Sequence, residues 1–168
     1  MKYEILRHDT REVGVLKTKV YRIKNIATGE LGGYVESESN LSQEGSCWVY
    51  GNAAVYGEAK VYGDAVVKDD ARVCGRAEVY GHAEISGLAT ISGRTEVYDA
   101  KVRERSNVYD RAVVNGGSDI SGSSYVSEGT ITGSRLVRCS VAIYGLLKDV
   151  HAEGAVINGT GFAKSIGD

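Results

Sequence analysis

The sequence predicts an all-β solenoid, and three observations predict it. From Val49 to Val97 one six-residue unit recurs eight times, as in VYGNAA, VYGEAK and VYGDAV. An aliphatic residue opens each unit and a small residue sits four places on. Glycine or aspartate holds the third place. A period of six fits no helix face. Within the run, however, Ala59 and Val61 are two apart, as are Ala65 and Val67, and side chains two apart on a strand share a face. Ala59 and Val61 therefore point in, Lys60 and Tyr62 point out, and Gly63-Asp64 turns the corner. Glycine suits that corner because it takes positive φ without steric cost, and Asp and Asn follow it. Such strands cannot stand alone. One buried valine contributes roughly 2 kcal/mol, while ordering six backbones costs on the order of 6–12 kcal/mol. Coils must stack on coils, each strand hydrogen-bonded above and below.

Residues 1–34 precede the repeat and are expected to form an N-terminal β cap. Lys2–His8 and Lys17–Ile26 read as strands and Gly29-Glu30 as a turn. A cap is needed because an open first coil would expose unpaired backbone and apolar core. The segment is basic, with Lys2, Arg7, Arg11, Lys17, Lys19, Arg22 and Lys24. This face is either simply solvated or binds an acidic or phosphate group. No aromatic platform is evident between the charges, so nucleic acid is disfavoured.

The solenoid is expected over 35–162. Val35 and Leu41 begin the first coil. Val49 arrives two residues late, after Cys47-Trp48, and the lone tryptophan is placed over the join between cap and coils. After Val97 the register slips. Val102 comes one residue early, then Val108, Val114, Ile120 and Val126 return to sixes. A second early step brings Ile131, followed by Val137 and Ile143, with Val150 and Val156 as a last pair. The units from Val114 to Val126 are rich in Gly and Ser. Residues 163–168 read as a frayed tail. The whole makes about six to seven coils.

The pattern aliphatic–x–Gly–x–small–x in tandem resembles the hexapeptide repeat of left-handed parallel β-helices. That resemblance implies a triangular solenoid with three hexapeptides per coil, and it alone supplies the handedness. Acyltransferases, γ-class carbonic anhydrases and non-enzymatic proteins share the repeat, so it constrains function weakly. The wording Leu31-Gly-Gly-Tyr-Val-Glu-Ser-Glu, then Asn40-Leu-Ser and tandem VYG(N/D)A units, also resembles a group of phage- and prophage-borne β-helix proteins.

Composition narrows the function classes. The chain has 168 residues and a net charge of −2, so no overall field draws it to nucleic acid or an anionic membrane. No apolar run approaches a membrane span. Three cysteines, Cys47, Cys74 and Cys139, form no CxxC pair, which fits free thiols in a reducing cytoplasm.

Eighteen-residue stacking places Tyr62, Tyr80 and Tyr98 in one outward column, with Lys60, Glu78 and Glu96 beside them. This face is the expected binding surface, since tyrosine brings apolar area and a hydroxyl at low entropy cost. The other reading is that the ladder only stabilises its own strands. A homo-oligomer, dimer or trimer, is expected, with a host protein as a further possible partner.

Chemistry is harder to find. Hexapeptide acyltransferases use a histidine between subunits as general base and add a loop that shapes the acyl-CoA slot. His82, at a corner, is the catalytic candidate here, with His8 and His151 weaker. No long loop interrupts Val49–Val97, and no carboxylate is evident to orient His82. A γ-class zinc site needs three imidazoles, and His82 and His151 lie about four coils apart, roughly 19 Å along the rod. No metal and no cofactor are therefore expected, apart from acyl-CoA under the transferase reading. The primary expectation is a non-enzymatic binding or scaffold protein. Following the phage-like resemblance, it would inhibit a host defence component.

Overall fold

The computed structural model describes residues 1–159. Residues 160–168, which include the expected frayed tail, lie outside the described residues. The described residues are all-β apart from one 3₁₀ turn at Glu38–Asn40. The short parallel strands stack as a β-solenoid in three ladders. The inward residues of the first ladder are Val35, Val55, Val73, Ile91, Val108, Val126, Val141 and Ile157, joined by seven parallel pairings. The second runs Leu41, Val61, Val79, Val97, Val114, Ile131 and Leu147. The third runs Val49, Val67, Ile85, Val102, Ile120, Leu136 and Ala152. The core is the line of these side chains together with the small residues between them, Ala53 through Ala112, nearly all sealed from solvent. Each strand donates upward, as in Lys60 N to Ala77 O at 2.9 Å and Tyr62 N to Val79 O at 3.1 Å. The local rule of the repeat thus holds: Ala59 and Val61 are buried, while Lys60, Gly63 and Asp64 are exposed.

The corners explain the glycines. The third-place residue is left-handed at Gly57, Gly63, Gly75, Gly81, Gly87 and Gly93 (φ 62–76°). Asp69, Asp99, Glu104, Asp110, Arg138 and Asp149 adopt the same conformation without being glycine (φ 48–63°). Several of these give something back. The Asp69 carboxylate accepts Gly87 N–H at 2.9 Å, Glu104 accepts Gly122 N–H at 2.6 Å, and Asp99 accepts His82 N–H at 2.8 Å. An acidic corner residue satisfies an amide in the adjacent coil, which offsets its conformational cost.

The late coils depart from the expected register. After Ile131 the inward residues are Leu136, Val141, Leu147, Ala152 and Ile157, spaced by five or six. Val137, expected inside, is only half-buried, Val150 likewise, and Val156 is 73% exposed. Ile143 is buried as expected. The cause is the period of two: one residue removed at a corner moves the next aliphatic to the opposite face unless the neighbouring residue takes its place.

Buried serines beneath and within the shortened units repair the hydrogen bonding. Ser118, Ser124 and Ser134 occupy the small inward place. Each hydroxyl donates within its own coil, to Asn115 O (2.6 Å), Ser121 O (2.7 Å) and Thr132 O (3.0 Å). Each also accepts an amide from the next coil: Ser134 N at 3.2 Å, Cys139 N at 3.0 Å and Val150 N at 3.1 Å. Ser118 and Ser124 lie in six-residue units and serve amides of the five-residue units stacked on them, 131–136 and 136–141.

At the N-terminus, β1 (Tyr3–Val13) and β2 (Thr18–Asn25) form an antiparallel hairpin with a bulge between Leu6 and Thr10. β1 runs five residues beyond the expected strand. β3 (Leu31–Val35) pairs antiparallel with β2 and parallel with Ala54–Val55, so one strand joins hairpin to solenoid. Gly32 and Gly33 permit this, because a Cβ at either would lie within 2.9 Å of the backbone oxygen of Val49 or Ala53. Trp48 is 5% exposed and meets Tyr3 edge-on at 6.1 Å, so it does cover the join. Tyr3 donates to Leu41 O at 2.7 Å. Asn40 donates to Gly57 O (3.0 Å) and Ala59 O (2.9 Å), tying the first coil to the second.

Candidate functional site

The outward column of the second ladder carries a stack of tyrosine rings. Glu78 pairs with Glu96 and Tyr80 with Tyr98 in parallel register, and Lys60 stands beside Glu78. The tyrosine rings stack face to face. Centroids of Tyr62 and Tyr80, and of Tyr80 and Tyr98, are 4.9 Å apart, with planes inclined by 1° and 14°. That spacing follows from the coil repeat. The hydroxyls are fixed by the next coil: Tyr62 donates to Glu78 at 2.8 Å and Tyr80 to Glu96 at 3.4 Å, while Tyr98 accepts from Asn115 Nδ2 at 2.8 Å. Burial, then the bond to Glu78 and its negative charge, push the Tyr62 hydroxyl well above the usual phenolic range. Tyr80 moves the same way, mainly by burial and by Glu96. The structure thus brings all six expected surface residues, Lys60, Tyr62, Glu78, Tyr80, Glu96 and Tyr98, onto one strip. It is a strip of stacked rings whose hydroxyls are hydrogen-bonded to the next coil, so contact there costs less side-chain entropy.

His82 sits on the adjoining corner, with 79% of its side chain exposed. A carboxylate does face it, contrary to expectation. Asp64 Oδ2 lies 3.6 Å from Nδ1, and Asp64 itself accepts the Ser46 hydroxyl at 2.6 Å. The missed signal was the eighteen-residue offset between 64 and 82, which stacks the two corners. Bonds from the Ser46 hydroxyl and amide lower the Asp64 pKa. Below His82 a shallow hollow is lined by Asp99, Lys101, Ser118 and Asp119. Asp119 is paired with Arg103 at 2.7 Å, which leaves Asp64 and Asp99 as the carboxylates that contact His82. Phosphates placed beside His82 would meet Asp64 and Asp99 as like charge. Among the described residues no group of three or more His, Cys, Asp and Glu side chains is arranged to hold a metal ion.

The basic hairpin also differs from its sequence reading, because aromatic rings do lie between the charges. The Arg11 and Arg22 guanidinium groups lie 4.3 and 4.5 Å from the Tyr34 ring centre, and Arg7 lies 4.6 Å from that of Tyr21. The rings come from β2 and β3, remote in sequence from β1. Arg22 is further held by Asp9 at 2.8 Å and Lys2 by the Cys47 carbonyl at 2.9 Å. Tyr34 is buried, so its ring is committed to the guanidiniums and closed to a base. The cysteines are unpaired, with Cys47 and Cys139 buried. No helix among the described residues is long and apolar enough to cross a membrane.

A scan against models of known protein families finds no match for this chain, and a search of the curated proteins finds none either.

Proposed function

We propose that this chain is a non-enzymatic binding or scaffold protein that engages a macromolecular partner through the flat outer faces of its solenoid. The strip of Tyr62, Tyr80 and Tyr98 is the principal contact. The observation that carries this reading is the stacked, hydrogen-bonded ladder, whose rings and carboxylates are already held in place. A surface ordered before contact loses less freedom on binding, and tyrosine is enriched where partners dock. The resemblance to the left-handed hexapeptide repeat, and within it to phage-borne β-helix proteins, supports a specific version. In that version the protein acts in the cytoplasm of a host cell, where buried unpaired thiols are stable, and blocks a host defence component by occupying its surface. Capture from host lysate on the immobilised wild-type chain and on a Tyr62→Arg/Tyr80→Arg variant tests it. A stoichiometric partner held by the first and lost by the second is expected. Equal capture by both, or none by either, defeats the proposal.

The transferase alternative keeps one favourable observation, Asp64 facing His82. Acetyl-CoA at millimolar concentration would then raise the melting temperature by linkage. The acidic surroundings of His82 lead us to expect no shift.

A further inference from the structure

We propose that the tyrosine strip docks on a second copy of itself, with the two rods antiparallel and a two-fold axis crossing the strip at Tyr80. The inference rests on reading that strip as a contact face and adds its occupant. Along the rod the column beside the rings runs Lys60, Glu78, Glu96. On the preceding corners stand Glu58, Arg76 and Arg94, and Glu58 pairs with Arg76 at 3.0 Å. Among the described residues Lys60, Arg94 and Glu96 take part in no ion pair, and all three are exposed. The two ends of this column, a cation and an anion, are complementary to their own reversal, with Glu78 midway and Tyr80 beside it.

Two face-to-face two-fold arrangements exist for such a strip. With the axis along the strands, the coil order reverses and the lateral order is kept. Lys60 then faces Glu96 of the second copy and Arg94 faces its Glu58, each twice by symmetry. Tyr62 meets Tyr98, and Tyr80 meets its own equivalent. Glu78 and Arg76 each meet their own equivalents, and each Glu78 has an Arg76 on either side of the interface to offset the like charge. With the axis along the rod, the lateral order reverses, and Glu58 falls against Asp64 while Lys60 and Glu96 face only rings. Charge order therefore selects the antiparallel arrangement. Overlap of five coils, from that of Leu41 to that of Val114, is about 24 Å long, and six strand and corner residues make it about 20 Å wide. That gives roughly 1,000 Å² over both copies, the lower end for a specific interface, so a micromolar dimer is expected.

Sedimentation velocity on the full chain at low salt, from micromolar to millimolar, decides the matter. The wild type should pass from monomer to dimer. Lys60→Glu alone, or Glu96→Lys alone, should raise Kd by about tenfold or more, because each sets like charges together twice. The double variant exchanges the two charges in both copies and should return Kd to within a few-fold of wild type. Both single variants change exposed side chains, so an unchanged melting temperature separates lost contact from lost fold. A wild type that stays monomeric overturns the proposal, as does a double variant no better than the single ones. If the chain stays monomeric while Tyr62→Arg/Tyr80→Arg still abolishes capture of a lysate partner, self-docking falls and the strip remains a contact face.

Discussion

Two corner glycines with the same backbone angle separate conformational strain from close approach. Gly93 and Gly117 both have φ +76°. A Cβ built on Gly117 meets nothing within 4 Å, whereas one on Gly93 lies 2.7 Å from both the amide nitrogen and the carbonyl oxygen of Asp110. Placing alanine in the left-handed region costs roughly 1–2 kcal/mol. Restricting the unfolded chain returns about 0.4–1 kcal/mol. Gly117→Ala should therefore destabilise by about 1 kcal/mol. Gly93→Ala carries the same strain plus overpacking of about 1–3 kcal/mol. The backbone atoms it meets belong to the next coil, and they are tied by Arg94 N to Asp110 O at 2.7 Å. Weakening that bond adds about 1 kcal/mol, so the total is about 3–5 kcal/mol. Urea unfolding followed by circular dichroism reads the difference. With a slope of about 1–3 kcal/mol per molar, the Gly93 variant should unfold at a midpoint about 1 M below the Gly117 variant. Equal losses, within about 0.5 kcal/mol, would refute the claim that coil-on-coil contact sets the need for glycine.

Three further outcomes are expected. Ser124→Ala removes the acceptor of the buried Cys139 amide and should cost about 1–3 kcal/mol in the same assay; a neutral result would mean the serine repairs nothing. Leu136→Ala should cost about 2–5 kcal/mol, while Val156→Ser, on the exposed side, should stay within about 0.5 kcal/mol; the reverse order would restore the register expected from the sequence. Stability should fall as pH rises from 10 to 12. Burial pushes the hydroxyls of Tyr3 and Tyr56 up to about 12 in the folded chain, against 10 when unfolded. The fold favours their neutral forms, so this stabilisation is complete below pH 10 and is lost as pH climbs through the folded values. Melting temperature against pH should decline less steeply for Tyr3→Phe, and parallel curves would contradict that assignment.

The regular coils were legible because each residue's task is local. Val61 and Ala59 are buried, Lys60 exposed and Gly63 left-handed for reasons contained within six residues. The tyrosine strip was legible for the same reason, since an eighteen-residue spacing alone stacks Tyr62, Tyr80 and Tyr98. Legibility ended where corners shorten. At Val137 and Val156 two adjacent aliphatics compete for the inward place, and the winner depends on the coil beneath. His82 gained Asp64 across eighteen residues by the same stacking that made the ladder visible. The rings against Arg7 and Arg11 come from β2 and β3, so no inspection of β1 alone exposes them.

By itself, then, the sequence determined that the chain coils, where most corners lie, and which side chains face in, because a period of six combined with the two-residue alternation of a strand allows one solution. Only the tertiary structure decided the register of the last coils, the partners of the buried serines and the surroundings of His82. Those depend on which atoms the neighbouring coil presents, and spacing along one chain carries no record of that.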